Sequence, residues 1–185
     1  MKNFKIITLA LSALVLFSSC NNDDEVIPVN EEELITTVRV TLLGGGQTIT
    51  MTSTDLDGDG PALPSLVISG NLIANTTYAG TVKFLNELQT PVADITAEVE
   101  AEGVDHQVFY QLPAALGTIT YTDLDVNGNP IGLNFSYLTG NAGTGNLTVT
   151  LRHLPNKTAS GVSTGNIANA GGSTDAEVSF PFVIN

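Results

Sequence analysis

The chain has 185 residues, with 19 acidic against 6 basic side chains and a formal net charge of −13. That balance repels phosphate backbones and anionic headgroups, which argues against nucleic acid and leaves cations or basic protein surfaces as counterparts. A single Cys excludes an internal disulfide, and abundant Gly, no Trp and only 14% charged residues suit one β-rich extracytoplasmic domain better than a helical enzyme.

At the start, Lys2 and Lys5 form a short basic region, followed by the apolar run "IITLALSALVLF" (6–17). About twelve residues are too few to span a bilayer and suit the core of a signal peptide. The run ends in "LFSSC", which resembles a bacterial lipobox. The resemblance makes 1–19 a lipoprotein signal peptide and Cys20 the acylated (palmitate-type) lipid anchor; an ordinary secreted chain with one free thiol is the alternative. Cleavage before Cys20 would remove two basic residues and no acidic ones, leaving a net charge of −15. "NNDDE" (21–25) resembles the acidic export tag of surface lipoproteins of the Bacteroidota. It favours an outer membrane lipoprotein on the cell surface over one on the periplasmic face. Residues 20–33, ending in Glu31–Glu33, lack an apolar period and read as an acidic flexible tether.

From 34 to 185 the pattern is that of strands punctuated by Gly, Asn and Pro, expected near 34–43, 47–54, 65–70, 77–86, 106–112, 117–123, 131–138, 145–153 and 175–184. Leu147, Val149 and Leu151 alternate with Thr148, Thr150 and Arg152, and Ile131, Leu133, Phe135 and Tyr137 share one face. Strands with one apolar and one wet face build a two-sheet sandwich, so the fold class is all-β: an immunoglobulin-like antiparallel β-sandwich of about eight or nine strands. "DITAEVEAE" (94–102) alternates as a strand would, but its Ala and Glu favour one short helix near 94–103. The small and polar stretch 155–174 predicts a long loop.

The segments "EEELITTVRVTL", "NTTYAGTVKFLNE", "YTDLDVNGNPIGL", "TVTLRHLPNK" and "NIANAGGSTDAEVSF" together resemble a family of small acidic lipoproteins of the Bacteroidota, over nearly all of 31–185. Its members tend to carry an acidic segment before a His-Gln pair (here Asp105, His106, Gln107) and a basic-His pair (Arg152, His153). The resemblance implies an envelope location and a β-rich fold more than an activity. The periplasmic-binding-type fold attached to that family does not suit a chain this short.

Two loops carry acidic residues at alternate positions. "TDLDGDGP" (54–61) places Asp55, Asp57 and Asp59 at positions 1, 3 and 5 of a calcium loop with Gly60 at the sixth; "TDLDVNGNP" (122–130) places Asp123, Asp125 and Asn127 likewise. Alternate oxygens converge on one calcium ion when the chain turns sharply, hence the glycine. Position 12, a bidentate Glu in an EF-hand, is Leu66 or Asn134 here, and Asn-Gly between strands is also an ordinary hairpin turn. Alternating strand directions would gather these loops, the 87–105 segment and the 154–174 loop at one acidic end. Both histidines would lie at the rim of an apolar face there. His106 and His153, with Glu102 or Asp105, are thus candidate ligands for zinc or another divalent transition metal.

No nucleophile elbow, phosphate loop or His-Glu-x-x-His pair is present, so no catalytic residues are assigned and the chain reads as no enzyme. The expected function is a lipid-anchored envelope or cell-surface binding module with a cation-binding acidic pole. It could serve as an accessory to an outer-membrane uptake receptor. The alternative is a structural or adhesive surface lipoprotein without a specific metal site.

Overall fold

The computed structural model describes residues 34–58 and 60–185. The expected signal peptide (1–19), Cys20, the expected tether (20–33) and Asp59 lie outside the described residues.

Among the described residues ten strands form in chain order: β1 Thr37–Gly44, β2 Gln47–Thr54, β3 Ser65–Ile68, β4 Thr77–Asn86, β5 Ala93–Asp94, β6 His106–Gln111, β7 Gly117–Tyr121, β8 Asn134–Thr139, β9 Gly143–His153 and β10 Ser173–Ile184. One helix, α1 Thr96–Ala101, separates β5 from β6. Most of the ambiguous 94–102 segment therefore resolves as helix, and it buries Ile95 and Val99, one helical turn apart, rather than every second residue. The two sheets are antiparallel. The larger has the order β3-β2-β1-β4-β8-β7 with β5 added beside β4, and the smaller has the order β10-β9-β6.

Period-two patterning explains the core. β4 alternates perfectly, with Tyr78, Gly80, Val82, Phe84 and Asn86 buried and the intervening residues less so. Gly80 stands opposite Phe135 in the β4–β8 register, and any Cβ at Gly80 would collide with the Phe135 ring. That ring, freed to lie over the strand, packs against Tyr110 of the facing sheet at a centroid distance of 4.3 Å. Ile131, Leu133, Phe135 and Tyr137 do share the core face, as do Leu147, Val149 and Leu151. Removing such side chains from water supplies the main driving force for the fold.

β6 departs from the alternating pattern: His106 to Tyr110 are all buried. The 155–172 segment causes this. It forms two 3-10 turns, 162–164 and 167–169, and lays Val162 and Ala170 over Phe109 on the outer face of the small sheet. Gln107 Nε2 donates to the Val162 carbonyl at 2.9 Å, tying that loop down. The long loop is thus a packed cover.

The strand pairings sort the connections. Residues 45–46, 69–76, 112–116 and 140–142 gather at one end, linked by Leu72 N–H to the Val183 carbonyl, Asn75 N–H to Gly140 and Gly140 N–H to Leu116. None of these connections holds a charged residue. The opposite end collects 55–64, the β4–β6 crossover with α1, 122–133 and 154–172. These are joined by Leu154 N–H to the Asp105 carbonyl and Asp55 N–H to Thr36. Asp55, Asp57, Glu98, Glu100, Glu102, Asp105, Asp123 and Asp125 are all carried there.

Candidate metal centre

His106 opens β6 and His153 closes β9, and the antiparallel register sets them directly opposite one another. Both fall on the inward parity of their strands, so both rings extend the core toward the acidic end. The rings stack at 4.8 Å between centroids and 25° between planes, with His106 fully buried and His153 5% exposed. Burying two basic rings face to face is costly unless something nearby satisfies their nitrogens.

β10 supplies that third group. Its register against β9 shifts between Thr174 and Ala176, so Asp175 is the extra residue of a β-bulge. A bulge sets two residues against one and redirects a side chain that strict alternation would send elsewhere. The Asp175 carboxylate, 1% exposed, lies 3.8 Å from His106 Nε2 and 3.9 Å from His153 Nδ1, at ion-pair rather than hydrogen-bond distance. All three donor atoms lie within 4.8 Å of one another.

His106 Nδ1 faces the Glu102 backbone carbonyl at 3.2 Å. The tautomer with hydrogen on Nδ1 satisfies that contact and leaves Nε2, on the Asp175 side, as a ligand atom. Metal-bound histidines are typically held by such a carbonyl partner. Tetrahedral zinc with bonds of about 2.0–2.1 Å separates its ligands by roughly 3.3–3.4 Å. The three side chains, with donor atoms up to 4.8 Å apart, would have to close in by about 0.5–1.4 Å to reach that spacing around a bound ion. Two imidazoles and one carboxylate are a donor set for zinc, cobalt, nickel or copper rather than for calcium, which takes oxygen alone.

Glu102 and Asp105, marked by the sequence, stand beside this group through their backbones. Glu102 offers its carbonyl to His106 and to Asp105 N–H, and Asp105 offers its own to Leu154. Among the described residues the carboxylate that completes the group is Asp175. Its position follows the odd parity of Glu177 and Ser179, opposite to core-facing Phe180, Phe182 and Ile184. No alternation pattern points it inward; the irregularity in pairing does.

The acidic loops resolve differently. In the first, Asp55 Oδ1 accepts from Gly58 N–H at 2.9 Å and Asp57 Oδ2 from Ala62 N–H at 3.2 Å, both near the surface. In the second, Asp123 accepts from Gly132 and Asn134 N–H through its two oxygens. Asp125 Oδ1 accepts from Asn127 and Asn129 N–H, and its Oδ2 receives the Lys157 ammonium at 2.9 Å. Asn127 enters through its backbone.

Lys157, 5% exposed, also donates to the Gly103 and Pro130 carbonyls. Its ammonium thus sits among two carbonyls and a carboxylate, a cation supplied by the chain itself. Burial pushes Lys157 below its ordinary value of 10.5, opposed by Asp125. For Asp125, burial pulls upward, but the Asn129 and Asn127 amides and Lys157 together hold the carboxyl below its usual 3.8.

No protein family, curated protein or solved structure matches this chain. The case for function therefore stands on the geometry.

Proposed function

We propose that this chain is a lipid-anchored binding module of the bacterial cell envelope, displayed on the cell surface. Its acidic end takes up one divalent transition-metal ion, with zinc the first choice. The observation that carries the reading is the buried cross-strand pair His106–His153 facing Asp175, with His106 steered by the Glu102 carbonyl. The anchor rests on "LFSSC" and Cys20, and the surface location on "NNDDE". A role beside an outer-membrane uptake receptor follows by analogy with tethered modules of this kind. Calcium at Asp55, Asp57 and Asp59 is the second reading, favoured by the near-surface position of the Asp55 and Asp57 carboxylates.

The test is a melting curve of metal-stripped protein with chelator, calcium or zinc. Zinc at a hundredfold excess over its Kd should stabilise by about 2.7 kcal/mol, raising Tm by roughly 5–10 °C in a domain of this size. His106→Ala and His153→Ala should each abolish the shift. A calcium-specific shift removed by Asp57→Ala would instead favour the oxygen-ligand loop. No shift with either ion would leave a structural or adhesive lipoprotein.

A further inference from the structure

The metal centre and the first acidic loop, separate in the sequence, border one small cavity. It encloses about 120 Å³ and lies between β10 and the β1–β2 hairpin, lined by Asp175 and Glu177 on one side and by Val38, Ser53 and Asp55 on the other. On the opposite flank, Val108 N–H of β6 donates to the Ile131 carbonyl at 2.7 Å and the 155–172 segment covers β6 from outside. The histidine rings do not line the cavity; Asp175 does, and it is the member of the centre common to both. Asp55 borders the cavity from the first acidic loop, and Asp175, whose buried carboxylate belongs to the centre, borders it from β10.

Resting on the metal reading above, we propose that this cavity is the loading route of the centre. Asp55 is the carboxylate that draws a divalent cation in, and Asp175 passes it to the histidines. Glu177 is partly committed, because its carboxylate accepts from Thr150 Oγ1 at 3.0 Å. Asp55, a lining residue of the cavity, has its Oδ1 held by the Gly58 backbone amide. A negative group at the mouth of a narrow, low-dielectric passage raises the local concentration of cations and their rate of entry. It need not alter the final complex.

The kinetics of Co²⁺ uptake test this, using the acylated protein in detergent, stripped of metal and followed by the visible absorption of bound cobalt. Asp55→Asn keeps the shape and the acceptor for Gly58 while removing the charge. It should slow association and dissociation alike, roughly fivefold, with one ion per chain still bound and the affinity changed by less than about twofold. Asp57→Asn makes the same change of charge on the same loop away from the cavity and should load at the wild-type rate. Loading of Asp55→Asn at the wild-type rate, or equal slowing by both variants, overturns the route. Failure of the metal reading shows elsewhere, in the end point: wild-type protein binding no ion, or His106→Ala binding a full equivalent, would remove the centre and the route with it.

Discussion

Replacing Lys157 with Met is expected to destabilise the domain by about 3–5 kcal/mol, the cost of stranding one partner of a buried ion pair. In a domain of this size that lowers Tm by roughly 10 °C. The Asp125 side chain is 1% exposed and the Lys157 side chain 4%, so neither charge has water to fall back on. The ammonium also holds together three acidic-end segments: Gly103 after α1, Pro130 in the 122–133 turn and Lys157 itself in the 154–172 cover. The double variant Lys157→Met with Asp125→Asn should recover more than half of the loss, because the neutral amide no longer needs a counter-charge. Urea melts of the two variants decide the matter. A single-variant cost below about 1 kcal/mol would mean that the pair is not the clamp described.

The same pair sets an acid limit. The Asp125 carboxyl is held below 3.8 in the folded chain, so its ionised form is bound more tightly there than in the unfolded chain. Its contribution is therefore fully present above pH 3.8 and is lost as pH falls through the lower folded value. Stability of the wild type should fall more steeply below pH 3.8 than that of the Lys157→Met/Asp125→Asn variant. Parallel acid limbs would show that Asp125 is not the group responsible.

Asp175→Ala is expected to weaken zinc binding roughly 100-fold, about 2.7 kcal/mol, by removing the anionic ligand that faces both rings. Glu102→Gln and Asp105→Asn should stay within about threefold of the wild type, since both positions meet the centre through backbone atoms that the substitutions keep. Competition titration against a zinc chelator reads all three. Unchanged affinity in Asp175→Ala, or an equal fall in Glu102→Gln, would return the carboxylate role to the residues nearest His106 in the chain.

Much of the fold is legible in the residues. β2 and β4 fall where alternation of Thr, Val, Ile and Phe puts them, and most other strands start or end within two or three residues of expectation. The helix at 96–101 follows from the Ala and Glu content of that stretch against its period-two pattern. The candidate site is legible only in part. The parity of His106 with Val108 and Tyr110, and of His153 with Val149 and Leu151, places both rings inward, and the antiparallel pairing then makes them meet.

Sequence by itself determined what depends on local pattern: the alternation that makes strands, the uncharged turns that separate them from the acidic ones, and the inward parity of two histidines. Tertiary structure alone decided which charges answer which. Lys157 fills the second acidic loop from 32 positions away, and Asp175 reaches the histidines because a bulge breaks the alternation that would have sent it outward. The physical reason is range. Strand parity is set by a residue and its immediate neighbours, whereas an ion pair or a ligand set depends on registers between strands that no single stretch contains.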